Sequence, residues 1–153
     1  MPPRTRGFAH RIDIIASPMQ VWTALSAPGL VPLWLGPDAR IAARQGGSWA
    51  VTVAPGLARD AMIDVFEPPR RLRLIYLPQA GLPTFDGAVV DDFLLDGEGG
   101  GTIVRLLCSG MPDLPEWTPV YSKVRAAAER ALSRLKVVVE QRERMSTAGS
   151  NVA

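Results

Sequence analysis

Two residues of this chain are placed to do acid–base or ligand-orienting chemistry from inside a fold: His10 and Asp91. His10 is the one histidine. It lies in Phe8–Ile15, where Phe8, His10, Ile12 and Ile14 alternate with Arg11 and Asp13. That is the period of a half-buried strand, and it turns His10 inward. An inward imidazole could orient a ligand or shuttle a proton near neutral pH. It could equally be a hydrogen-bonded histidine near the open end of the strand. Asp91 and Asp92 are neighbours on a strand, so they point to opposite faces and cannot act as a paired dyad. The register of Leu95 turns Asp91 inward with Val89 and Phe93. A carboxylate there is costly unless it is paired or wetted, and it could hold a ligand hydroxyl or amine, with His10 as a partner. A register slip of one residue would instead put Asp91 in solvent.

Other chemistries find little support. The one cysteine, Cys108, has no neighbouring base and reads as a small buried hydrophobe rather than a nucleophile. It cannot form an internal disulfide. No His, Cys or acidic spacing suits a metal, and no cofactor is expected. Gly46-Gly47 and Gly99-Gly100-Gly101 are hairpin glycines, since neither opens a helix after a strand. A net charge of +2, from 17 basic and 15 acidic residues, gives no nucleic-acid footprint. No window reaches the roughly 18 apolar residues of a membrane span, and the N-terminus lacks a signal-peptide core. A cytoplasmic protein is the expectation.

The elements that would hold these residues can be read in order. Ser17 and Pro18 suit the N-cap and first turn of a short helix carrying Val21, Trp22 and Leu25. A second short helix covers Gly29–Leu35. Strands follow at Asp38–Ala43, Ser48–Val53, Arg59–Glu67, Arg71–Leu77, Ala88–Asp96 and Thr102–Ser109. In Arg59–Glu67, Ala61, Ile63 and Val65 oppose Met62, Asp64 and Phe66. The hairpin turns between strands exclude a parallel βαβ sheet. Thr118 is the expected N-cap of a long helix, Pro119–Arg142. Its stripe of Val120, Val124, Ala128, Ala131, Leu135 and Val138 must be buried against the sheet. The middle of that stripe is small, with Ala126, Ala127, Ala128 and Ala131. Either the sheet closes down there or a ligand fits. One domain over 8–142 is expected, with 1–7 and 145–153 as flexible tails.

The order of elements, with Ile14-x-Ala16-Ser17-Pro18-x-x-Val21-Trp22, Leu33-Trp34-x-Gly36-Pro37, Gly46-Gly47-x-Trp49, Glu67-Pro68-Pro69-Arg70-Arg71-Leu72, Ser109-Gly110-Met111 and Leu132-x-x-Leu135-Lys136-x-x-x-Glu140, resembles the START-like (SRPBCC) superfamily. Within it the chain is most similar to the branch named after the activator of Hsp90 ATPase. The resemblance implies an α+β helix-grip fold, a curved antiparallel sheet wrapped around the last helix, often with a cavity for an apolar or aromatic molecule. Many relatives carry Gly-Trp where this chain has Ala127-Ala128, a loss of bulk that would enlarge the cavity or let the sheet close.

On this reading the protein binds a small hydrophobic molecule. Trp49, Tyr76, Phe93, Leu106, Cys108 and Ala128 would line the site, Trp117 and Tyr121 its rim, and His10 and Asp91 would supply polarity. The segment Pro112–Trp117 is a lid candidate. Two alternatives stand beside it. One is an aromatase/cyclase-like enzyme with His10 or Asp91 as acid or base. The other is an interaction module like the Hsp90 activator. Ile103 and Leu107 around Arg105 would give that module an outer apolar patch, which also permits a homodimer seam.

Overall fold

The structure, a computed structural model, describes residues 4–150, with side chains to residue 147. Seven antiparallel strands form one sheet in the order β1-β7-β6-β5-β4-β3-β2. They are β1 (Thr5–Ile14), β2 (Arg40–Ile41), β3 (Ser48–Ala54), β4 (Leu57–Glu67), β5 (Arg71–Tyr76), β6 (Val89–Glu98) and β7 (Gly101–Pro112). Helices α1 (Pro18–Ser26) and α2 (Val31–Trp34) follow β1, and α3 (Thr118–Ser150) closes the chain. The helix-grip architecture expected from the sequence is the one observed.

Local chemistry explains the element ends. Ser17 caps α1: its side chain accepts from the Gln20 amide N–H, while Gln20 Oε1 accepts from the Ser17 N–H at 2.7 Å. This is a reciprocal capping box. Thr118 is not an N-cap, contrary to expectation. It has helical backbone angles and continues a 3₁₀ turn at Pro115–Trp117. Its hydroxyl instead accepts from Arg6 Nη2 at 2.9 Å. The tails are also shorter than expected. Thr5 and Arg6 pair with Pro112 and Met111, and Arg6 lies 4.4 Å above the Tyr121 ring. Helix α3 runs on to Ser150. Exposed residues can continue a helix without a core stripe, because each adds its own backbone hydrogen bond. Residues 1–3 and 151–153 lie outside the described residues.

One strand changes face. A bulge between Ile63 and Val65 shifts the pairing of β4 with β5. Phe66, read as outward, therefore turns in and packs edge-on against Trp22 at 5.3 Å. One extra residue in a strand reverses the sidedness of everything after it. The pairing of β6 with β5 and β7 runs without interruption, so Asp91 and Asp92 do sit on opposite faces. Asp92 pairs with Arg71 at 3.0 Å on the outer face, where Arg105 also meets Asp96 at 2.8 Å. Ile103 is buried, which leaves Leu107 as the exposed apolar residue of this pair, beside the Arg105–Asp96 ion pair.

Helix α3 is fixed against the sheet by Val124, Ala131, Leu132, Leu135 and Val139, all buried. Near its far end Glu140 Oε2 accepts from the Ile15 N–H (2.9 Å) and from Lys136 Nζ (2.9 Å). The backbone N–H and then Lys136 hold the Glu140 carboxyl below its ordinary range, against some opposition from burial. A lowered carboxyl pKa contributes stability above the unfolded-state value and loses it as pH falls through the folded one. Glu140→Gln should therefore cost about 1 kcal/mol at pH 7. That deficit should begin to shrink as pH falls towards the ordinary glutamate range, about 4.3, and be lost only below the lowered folded value. Urea unfolding of both proteins across pH checks this, and a deficit independent of pH would contradict it.

Candidate ligand site

Inward positions of five strands converge opposite the alanine run of α3. Trp49 comes from β3, Arg59 from β4, Tyr76 from β5, Asp91 and Phe93 from β6, and Leu106 and Cys108 from β7. Helix α2 adds Trp34, whose indole N–H donates to the Ala24 carbonyl at 2.9 Å. Trp34, Trp49 and Phe93 form an aromatic triangle with ring centroids 6.0–6.1 Å apart. Between these walls and Val124, Ala127, Ala128 and Ala131 of α3 lies a cavity of about 430 Å³. The sheet does not close on the alanines. Small-molecule sites typically span ~300–1,000 Å³ and combine apolar walls with a few polar groups.

The buried polar groups form one cluster at the cavity wall. Tyr76 donates its hydroxyl to Asp91 Oδ2 at 2.6 Å. Arg59 Nη1 donates to the same oxygen at 3.4 Å, and its guanidinium carbon stacks 3.4 Å over the Tyr76 ring. The Arg59 and Asp91 side chains are 9% and 7% exposed, so this is a buried ion pair. Such pairs need good geometry and further hydrogen bonds to offset desolvation. Here Oδ1 of Asp91 is enclosed without a hydrogen-bond partner. Cys108 stands opposite Asp91 on β7. Burial first, and then the Asp91 charge, push its thiol well up, which disfavours the thiolate form. Burial likewise pushes the Tyr76 phenol up. Burial works against the charge on Arg59, but the Tyr76 and Asp91 oxygens outweigh it.

Of the residues singled out in the sequence, Trp49, Tyr76, Asp91, Phe93, Leu106 and Ala128 line this cavity. Cys108 stands behind it, beside Asp91. His10 does not reach it: its Nε2–H donates to the Arg125 carbonyl at 3.2 Å, and its ring lies 5.1 Å from Phe8. His10 therefore ties β1 to α3 and is no partner of Asp91. Tyr121 also lies outside, donating its hydroxyl to the Gly7 carbonyl at 2.8 Å. Trp117 is no rim residue. It is buried, packed edge-on against Phe85 at 4.9 Å, and lines a second, smaller cavity.

Arg59 was missed. The signal was there, since Arg59 shares the parity of the inward Ala61 and Ile63. At a strand's first residues an arginine reads as a solvated end, and only the curl of the sheet shows it facing Asp91. Trp34 stands in one of the quoted motifs but not among the expected lining residues, because a four-residue helix gives no stripe to orient it.

The family described as activator of Hsp90 ATPase homolog 1-like protein matches residues 15–140. The chain belongs to that family. None of the curated proteins compared is similar enough to count as a match. Several solved structures share the fold. Protein MLL2253 from Mesorhizobium loti is 22% identical with a TM-score of 0.76, over 89% of this chain and 98% of that one. CalU16 from Micromonospora echinospora is 24% identical with a TM-score of 0.69, over 88% and 74%. The Aha1 dimer from Colwellia psychrerythraea is 20% identical with a TM-score of 0.70, over 88% and 96%. At these identities the likeness speaks to fold, and function must be argued from the site. Among the described residues no cluster of His, Cys, Asp or Glu could hold a metal ion, and no helix is long and apolar enough to cross a membrane.

Proposed function

We propose that this protein binds a small, mostly apolar or aromatic molecule between α3 and the sheet. The observation that carries this is the cavity itself, about 430 Å³ with the alanines of α3 on one side and Trp34, Trp49 and Phe93 on the other. Its buried polar corner, Arg59–Tyr76–Asp91, supplies orientation, and the exposed Thr52, Arg130 and Arg134 also line the cavity. The Arg59 side chain makes one hydrogen bond among the described residues, which leaves guanidinium donors for a polar group on the ligand. The pair is charge-balanced, so a neutral polar group suits it better than an anion.

An enzyme of the aromatase/cyclase kind has less support. His10 is occupied elsewhere, and Asp91 is fixed by Tyr76 and Arg59 with no histidine at hand. An acid–base step needs a group within reach of the substrate that can exchange its proton.

Fluorene, a rigid apolar three-ring compound, is a suitable probe. Calorimetric titration should give one site per chain with a negative heat-capacity change, the mark of apolar burial. The recovered fluorene should be chemically unchanged. No saturable binding would sink the reading, and a stoichiometric product would replace it with the enzyme.

A further inference from the structure

The segment between β5 and β6 covers a second cavity of about 150 Å³. Leu82, Phe85, Met111 and Val120 make its walls mainly apolar, with Gln79 and Thr84 among the lining residues. Arg59 and Tyr76 line it on one side and the larger cavity on the other, so their stack is the partition between the two. One wall is Trp117, which is 2% exposed. Its indole N–H is enclosed without a hydrogen-bond partner. A buried indole N–H ordinarily finds an acceptor. Leaving it unmade forfeits a hydrogen bond whose desolvation has already been spent.

We propose that this chamber is a second ligand subsite, taking a compact apolar group that carries one neutral acceptor oxygen, such as a ketone or ester carbonyl, bonded to Trp117 Nε1–H. A chamber of this size takes a benzene-sized group. The apolar walls disfavour a charged acceptor, which would meet no cation other than the already paired Arg59. Because the Arg59–Tyr76 stack separates the two chambers, this subsite takes its own small ligand, independently of what the larger cavity holds. The subsite can be tested without any ligand in the larger cavity.

Cyclohexanone and methylenecyclohexane differ by a carbonyl oxygen in place of a CH₂ and serve as the probe pair. In ¹⁵N-tryptophan spectra of the wild-type protein, cyclohexanone should move the Trp117 indole N–H downfield, and methylenecyclohexane should not. The ratio of ketone to alkene affinity should fall about tenfold in Trp117→Phe, as expected for one neutral hydrogen bond. Taking the ratio cancels the different hydration of the two probes. Val120→Phe keeps the indole but fills the chamber, so it should abolish the shift. An unchanged ratio in Trp117→Phe would overturn the proposal. So would a shift at Trp34 or Trp49 in place of Trp117, or one that survives Val120→Phe. Fluorene binding reports the larger cavity separately and should persist in Trp117→Phe. If fluorene fails while cyclohexanone still moves Trp117, the larger site falls and this one stands.

Discussion

Arg59→Met alone should destabilise the protein by about 3–5 kcal/mol, and Arg59→Met combined with Asp91→Leu should recover most of that loss. The single change removes the cation facing a carboxylate that is 7% exposed. It leaves Asp91 with the Tyr76 hydroxyl and an Oδ1 that already has no partner. The double change removes both charges and replaces them with apolar groups of similar shape, which cavity walls made by Trp49, Phe93 and Leu106 accept. Tyr76 then loses its acceptor, a smaller penalty of about 1–3 kcal/mol, so recovery should be large but incomplete. Urea unfolding of the two single variants and the double variant forms a cycle that isolates the coupling. Simple additivity would mean that Arg59 and Asp91 are solvated independently and that the polar corner is not a unit.

A buried ion pair that could be exchanged for packing at little cost is not explained by stability. Its presence at the wall of a cavity fits a role in orienting what the cavity holds.

Ala128→Phe should abolish fluorene binding while leaving the fold standing. Ala128 is only partly buried, faces the cavity, and lies between the buried Val124 and Leu132 on the same side of α3. Where a helix is packed down on a sheet, adding a phenyl ring overpacks the contact and costs about 1–3 kcal/mol. Where a cavity lies beneath, the ring has room, and the loss is limited to the roughly 0.5 kcal/mol by which phenylalanine is the poorer helix former. The expected result is a midpoint of unfolding close to the wild type and a fluorene affinity at least ~100-fold weaker, since the ring occupies the ligand's place. A strongly destabilised variant that still binds fluorene would show the opposite arrangement: helix and sheet in contact, and the ligand elsewhere.

The sequence carried most of the architecture and about half of the site, and the division has physical causes. Period-two alternation placed Trp49, Tyr76, Asp91, Phe93 and Leu106 on the inner face, because pairing on both sides of β6 proceeds without interruption. Alternation gives direction but not distance. His10 does point inward, yet it meets the Arg125 carbonyl, because it sits on an edge strand, β1, where α3 passes over it at Arg125. Phe66 was misplaced because the bulge in β4 carries no glycine or proline to announce it. The second chamber was illegible, since it depends on how residues 77–88 fold over Trp117. A segment without periodicity gives no register from which to predict that. The alanine run was the most useful signal, because its two readings, closure or cavity, exclude one another.

The most direct test of the central claim is a crystal structure of the protein grown with 2-bromofluorene, with the bromine located by its anomalous scattering. The account predicts a single strong peak between α3 and the sheet, within van der Waals contact of Ala128 and the triangle of Trp34, Trp49 and Phe93. A bromine bound only on the outer surface, with Trp49 and Phe93 packed directly onto Ala127 and Ala128, would contradict it.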